Sequence, residues 1–267
     1  MLTLKIIFLA VLQGITEFLP ISSSGHLAIS QNLLGINEDS SLLLVVVLHA
    51  GTLVAIIIYY FKILLELLKR ENHKIIILVI VGTIPAGILG VIIKKMGIAD
   101  AIFSNLLVAG IGLLITASLL KWGMNKKDGE KTIKDLSYGQ ALIVGLFQAF
   151  AIFPGISRAG STIIGSVLQK LKRNDAATFS FLLAIPVIGG AALIEVASAV
   201  IKPQSIGENI PILLLCLGFI ISAIVGFYSL KILLKSLKRG NLNIYAYYCF
   251  SLGSIVVIWQ IIRFVNI

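Results

Sequence analysis

The sequence predicts an all-α polytopic membrane protein: an inverted repeat of two units, each a re-entrant helical hairpin plus three transmembrane helices. Three observations carry that prediction. The 267 residues are 58% hydrophobic and only 13% charged, with a mean hydropathy of +1.04; soluble domains run at roughly 45–50% and about 25%. Six continuously apolar segments reach the roughly 20 residues that a spanning helix needs. Two further apolar regions are each interrupted by a short polar, glycine-containing break. A membrane β-barrel is excluded, because its strands alternate lipid-facing and lumen-facing residues and these runs do not.

The elements follow in chain order. Residues 4–34 are apolar apart from Pro20-Ile21-Ser22-Ser23-Ser24-Gly25-His26. Spanning helices are expected at about 41–62, 75–95 and 101–122. Residues 137–170 are again apolar apart from Pro154-Gly155-Ile156-Ser157-Arg158-Ala159-Gly160-Ser161-Thr162, and spans follow at about 176–200, 211–233 and 244–265. In the two interrupted regions neither half spans comfortably alone. Irregular backbone at membrane depth is tolerated only where it lines a protein cavity, so each is read as a hairpin with its tip inside the bilayer. Gly14-Ile15-Thr16-Glu17 resembles Gly145-Leu146-Phe147-Gln148, and Ser22-Ser23-Ser24-Gly25 resembles Ser157-Arg158-Ala159-Gly160. The chain is therefore one membrane domain, residues 1–267. Repeat one covers about 1–124, a cytoplasmic linker about 125–135, and repeat two about 136–267. A hairpin plus three crossings ends on the opposite side, so the second repeat is inverted, an architecture built around broken helices meeting near the midplane.

The net charge of +10 sits in short loops rather than on one face, which argues against nucleic acid as a partner. With hairpins that do not cross, sixteen of the 22 Lys and Arg residues fall on one side and five on the other, Arg158 remaining between. The richer side is expected to be cytoplasmic, with both termini outside and the first hairpin opening outward, in a plasma membrane. Cys216 and Cys249 lie in apolar segments and form no metal or redox motif. The N-terminal run lacks a small-residue cleavage site and reads as part of the mature protein.

Glu17 and Arg158 stand beside the two breaks in apolar surroundings, and an ionisable residue at membrane depth is a functional-site hypothesis with a partner to be named. Gln13, Ser22, Ser23, Ser24 and His26 surround the first, and Ser157, Ser161 and Thr162 the second. Such a set is costly to desolvate unless something polar occupies it. A guanidinium grips phosphate bidentately, and each break feeds a helix N-terminus, a ready anion site. Gln13 and Glu17, four apart, share a helical face and suit a divalent cation with oxygen preference, Mg2+ or Ca2+. Phosphoryl transfer needs little beyond positioning, charge neutralisation and a nucleophile.

These residues carry a resemblance. Gln13-x-x-x-Glu17, Phe18-Leu19-Pro20-x-Ser22-Ser23-x-Gly25-His26 and Pro154-Gly155-x-Ser157-Arg158-x-Gly160-x-Thr162 look like the signature set of the undecaprenyl-diphosphate phosphatase family of the bacitracin-resistance type. It covers nearly the whole chain. Position 13 is Gln where many members have Glu, and position 159 is Ala where Ser is common. The resemblance implies hydrolysis of undecaprenyl diphosphate to the monophosphate, recycling the cell-wall lipid carrier at the outer face, with a divalent cation. It implies Glu17 as metal ligand assisted by Gln13, and Arg158 on the diphosphate. Ser22, Ser24, Gly25, Ser157, Gly160, Ser161 and Thr162 form the substrate-binding set. The nucleophile stays open between Ser23, His26 and metal-activated water. The implied partners are the polyprenyl diphosphate and membrane lipids; the oligomeric state is left open, a homodimer among the alternatives.

Other polar residues read differently. His49-Ala50-Gly51-Thr52 resembles close helix packing, with a site role for His49 the alternative. Glu195 either snorkels outward or lines the cavity. Gln148 holds in repeat two the place of Glu17, which suggests one active site rather than two. Two rival functions are to be weighed. A transporter or flippase would share the inverted repeat. A phosphatase of the phosphatidic-acid type is excluded, since the sequence has no Arg-Pro and Ile164 stands where that class needs a histidine.

Overall fold

The computed structural model describes residues 1–36, 38–201, 210–240 and 242–265; the side chains of 38–42, 100, 124 and 195–201, Glu195 among them, lie outside the described residues. Among the described residues twelve α-helices follow one another: α1 (Leu2–Phe18), α2 (Ser23–Leu34), α3 (Glu38–Tyr59), α4 (Phe61–Leu67), α5 (His73–Lys95), α6 (Ala99–Phe103), α7 (Leu106–Met124), α8 (Tyr138–Phe150), α9 (Arg158–Leu168), α10 (Arg173–Ile201), α11 (Ile212–Lys238) and α12 (Asn243–Val265). No strand occurs among the described residues, only an isolated bridge between Lys131 and Leu171. Among the described residues five helices (α5, α7, α10, α11 and α12) are long and apolar enough to cross a membrane, and α3 with α4 makes a sixth if that pair, bent by 72°, counts as one span. On α5, Ile77, Ile80, Ile84, Ile88 and Val91 are all exposed, a stripe at helical spacing that suits lipid tails rather than water.

The sequence placed one span at 41–62, and the structure ends that helix at Tyr59. Tyr60, at φ −95° and ψ 12°, turns the chain, and its ring lies 6.0 Å from that of Phe181. The span expected from residue 101 begins at Leu106, because Asn105 starts a new helix: its Oδ1 accepts from the amides of Leu107 and Val108, satisfying N-terminal donors.

Both interrupted regions are helical hairpins. In the first, Lys5 Nζ donates to Leu34 O at 2.6 Å, tying the start of α1 to the end of α2. In the second, Lys131 N donates to Lys170 O and Lys172 N to Lys131 O, which closes the loop before α8 onto the end of α9. A capping box starts α8, with Ser137 Oγ accepting from Gln140 N and Gln140 Oε1 accepting from Ser137 N.

The open ends of the hairpins lie at opposite ends of the bundle. Ile6, Leu9 and Leu34 of the first pack with Leu44 of α3 and Leu215 of α11. Ala141, Val144 and Val167 of the second pack with Ala55 and Ile56 further along α3 and with Leu230 and Leu233 further along α11. Both α3 and α11 thus run from one open end to the other.

Small residues set the helix approaches, as expected where lipid tails leave no hydrophobic drive between helices. A Cβ on Gly14 of α1 would lie 2.8 Å from Val225 Cβ and 3.0 Å from Gly226 N of α11. A Cβ on Gly145 of α8 would lie 2.5 Å from Gly82 O of α5. The first helix of each hairpin therefore docks through a glycine, α1 onto α11 and α8 onto α5. Gly253 of α12 approaches Gly110 of α7 in the same way, 2.9 Å from its carbonyl. Gly51 of α3 faces Ser222 of α11, whose hydroxyl donates to Leu48 O at 3.0 Å. The packing reading of that segment accounts for Gly51.

Candidate active site

The two hairpin tips touch. A Cβ on Gly25 would lie 2.9 Å from Gly155 Cα, and one on Gly160 would lie 3.3 Å from Pro20 Cβ. Gly155 adopts φ +85°, and a Cβ there would run into the Ala109 carbonyl of α7; only glycine serves both the turn and the approach. Thr116 of α7 holds the second tip, its hydroxyl donating to Gly155 O at 2.8 Å and accepting from Ser157 N at 2.9 Å. The serines ahead of the returning helices cap them: Ser22 Oγ accepts from Gly25 N at 3.3 Å and Ser157 Oγ from Gly160 N at 3.1 Å. Ser22 takes φ 71°, a left-handed backbone that costs a non-glycine residue roughly 1–3 kcal/mol and persists where the surroundings impose it.

The carboxylate of Glu17, 5% exposed, is the centre of the contact. Its Oε1 accepts from Arg158 Nη2 at 2.5 Å. Its Oε2 accepts from Ser23 Oγ at 2.6 Å and from Gln13 Nε2 at 3.1 Å, and His49 Nε2 lies 3.6 Å from the same oxygen. One carboxylate thus joins four side chains from α1, α2, α3 and α9. Two buried atoms beside it have no hydrogen-bond partner, Gln13 Oε1 and Arg158 Nη1. An uncompensated buried polar atom costs about 1–3 kcal/mol, so both mark where a further polar group belongs.

The structure brings Gln13, Glu17, Ser23 and Arg158 together, and adds His49. Ser24 lies beside Ser22, with its hydroxyl 3.2 Å away. Ser161 is buried with its hydroxyl unpartnered. Thr162, counted among the phosphate-binding hydroxyls, is instead turned away. Its hydroxyl bonds Arg158 O at 2.8 Å and Ser180 Oγ at 2.6 Å, which locks α9 to α10. His26 is not hydrogen-bonded to Ser23. Its Nδ1 donates to Ser22 O at 2.7 Å and its Nε2 accepts from the Tyr248 hydroxyl at 2.7 Å. Tyr248 on α12 is the residue that sequence reasoning missed; it stands 222 residues from His26, and no spacing rule links them. Gln148, which sequence resemblance aligns with Glu17, donates to Gly82 O at 3.1 Å and so serves the α8–α5 contact.

Fold and site together define a multi-pass membrane protein with a buried carboxylate–guanidinium–hydroxyl cluster formed where two helical hairpins meet. The chain belongs to the family described as bacitracin resistance protein BacA, whose pattern matches residues 6–255. It is 42% identical over 256 residues to the undecaprenyl-diphosphatase of Halothermothrix orenii, covering 95% of this chain and 96% of that one. It is 41% identical over 279 residues to the undecaprenyl-diphosphatase of Methanosphaera stadtmanae, covering 97% and 98%. A third relative, the undecaprenyl-diphosphatase of Alkaliphilus metalliredigens, is 38% identical over 280 residues, covering 98% and 100%.

Proposed function

We propose that this chain is an integral membrane phosphatase that hydrolyses undecaprenyl diphosphate to undecaprenyl phosphate and inorganic phosphate. It recycles the lipid carrier of cell-wall synthesis and so confers bacitracin resistance. One observation carries the mechanism: Glu17 holds the Ser23 hydroxyl and the Arg158 guanidinium on its two oxygens.

In this mechanism Ser23 Oγ attacks the terminal phosphorus of the diphosphate. Its proton passes to the Glu17 carboxylate, and the bond from phosphorus to the oxygen of the lipid monophosphate breaks. Arg158 leaves Glu17 for the diphosphate, where its unpartnered Nη1 becomes a second donor to a charge that grows in the transition state. Water then hydrolyses the phosphoserine, releasing inorganic phosphate and returning the proton to Ser23. The Ser157 hydroxyl and the α9 N-terminus line the oxygen side of the substrate. His26, held by Tyr248 and Ser22, orients the start of α2 and with it Ser23.

The donor set fits a divalent cation. One carboxylate, the orphaned Gln13 Oε1 and phosphate oxygens are the ligands that Mg2+ takes in phosphate-binding sites. Glu17 and Gln13 would hold it, and it would supply neutralisation of diphosphate charge.

The proposed setting follows from charge. Lys62, Lys69 and Arg70 after α3, and Lys121 and the basic residues before α8, all lie toward the open end of the second hairpin. That end is proposed as cytoplasmic, which makes the hairpins re-entrant, the repeats inverted, both termini external and the site open to the outer face. A transporter would use the same fold, and conversion of substrate separates the two. Purified protein in detergent, given a long-chain prenyl diphosphate and Mg2+, is expected to release phosphate. Chelator, Glu17→Ala and Arg158→Ala should each abolish release. Lipid binding without release under any cation would favour the transporter.

A further inference from the structure

His26 and His49 are held alike and differ in one respect. Each ring Nδ1 faces the carbonyl four residues earlier, Ser22 O at 2.7 Å and Val45 O at 2.8 Å. A carbonyl only accepts, so both Nδ1 atoms carry hydrogen and the neutral rings present a lone pair at Nε2. The His26 lone pair receives the Tyr248 hydroxyl. Among the described residues no donor meets that of His49, which points at Glu17 Oε2 from 3.6 Å. Two acceptors therefore face each other across a gap. At 3.6 Å they are close enough to be held by one bound cation. Gln13 Oε1, buried and unpartnered, belongs to the amide whose nitrogen bonds the same Glu17 oxygen. An imidazole whose other N–H donates to a backbone carbonyl is also the usual arrangement of a metal-ligating histidine.

We infer that His49 Nε2, Glu17 Oε2 and Gln13 Oε1 are the protein ligands of one divalent cation, and that the imidazole biases this site toward transition ions such as Mn2+ or Zn2+ over Ca2+. The bias follows from ligand type, since Ca2+ takes oxygen donors and imidazole suits the later ions. The Arg158 guanidinium and the cation add positive charge to a single carboxylate, and the diphosphate of the substrate balances it and fills the remaining positions. This inference rests on the proposal that Glu17 binds a cation.

The test is Mn2+ titration of the purified full-length protein in detergent, read by electron paramagnetic resonance, with electron spin-echo modulation to detect a directly bound 14N. Calorimetry gives the Ca2+ affinity. The wild type is expected to bind one Glu17-dependent Mn2+ with imidazole nitrogen coupling. His49→Gln should remove that coupling and weaken Mn2+ roughly 10–100-fold, the loss typical when the shell around a metal is altered. Its effect on Ca2+, an oxygen-ligand ion, should stay within about 3-fold. Glu17-dependent Mn2+ binding without nitrogen coupling in the wild type would overturn the assignment of His49 and leave the cation site standing. No Glu17-dependent Mn2+ binding would overturn both, and phosphate release in chelator would show that the reaction needs no cation. The wild-type spectrum decides the point even if His49→Gln fails to fold.

Discussion

Separating the Glu17–Arg158 pair tests whether the contact between the hairpins is a structural clamp or a working site. The carboxylate is 5% and the guanidinium 14% exposed, so removing one partner strands the other charge away from water. Breaking a buried pair in that way costs about 3–5 kcal/mol, whereas replacing both members by well-packed neutral residues is often neutral. Glu17→Gln leaves both Nη groups of Arg158 without an anion, and Arg158→Met leaves Glu17 with only neutral donors. At the roughly 2–4 °C per kcal/mol expected for a chain of this size, each single variant should lower the unfolding temperature in detergent by about 6–20 °C. The double variant Glu17→Gln/Arg158→Met should recover most of that loss. Phosphate release should behave differently, falling at least roughly 100-fold in all three, because removing a preorganised transition-state donor alone costs about 2.7–4 kcal/mol. Thermal melts and phosphate release on the same preparations check both. Additive destabilisation in the double variant would refute the buried-pair reasoning, and recovered activity in it would reduce the pair to a clamp.

Four further outcomes are expected. Ser23→Ala should abolish turnover and the acid-stable phosphoenzyme trapped from terminally labelled substrate, and a variant that still forms phosphoenzyme would move the nucleophile elsewhere. Gly155→Ala forces a side chain onto φ +85° and the Ala109 carbonyl; it should cost more than about 3 kcal/mol, the range of backbone strain combined with overpacking, and a melt within a degree of wild type would contradict it. Tyr248→Phe leaves His26 Nε2 without its donor, and should cost about 0.5–1.5 kcal/mol and lower kcat while KM stays unchanged. Asp135 accepts from the Thr132 amide and hydroxyl, which hold its carboxyl below the usual range, the amide foremost. A group with a depressed folded pKa stabilises above its unfolded pKa and loses that contribution as pH falls through the folded one. Melts of Asp135→Asn should therefore converge with wild type on acidification and lie below it near neutrality.

The membrane architecture was legible in the sequence because its causes are local. Apolar length decides which segments can span, and the polar breaks at Ser22–His26 and Ser157–Thr162 mark where the helices are interrupted. Gln13 and Glu17 share a face by helical spacing alone, and their hydrogen bond follows from it. Gly14 and Gly145 could be aligned by sequence resemblance before any contact was known. The turn at Tyr60 was not legible, since the apolar run continues through it and the turn coincides with packing on Phe181, 121 positions away.

The chemistry of the site divides along the same line. Composition alone requires that Glu17 and Arg158 find each other or a ligand, because isolated charges do not persist in an apolar interior. Which hydroxyl rests on Glu17, and which imidazole keeps a free lone pair, depend on atoms that only the closed bundle brings within hydrogen-bond reach. Ser23 reaches the carboxylate because α2 folds back beside α1. His26 is committed to Tyr248 by the arrival of α12, and Thr162 to Ser180 by α10. Hydropathy and capping act over one or two helical turns, so sequence determines them. Pairing between side chains 141 or 222 residues apart is decided by packing, which tertiary structure alone contains.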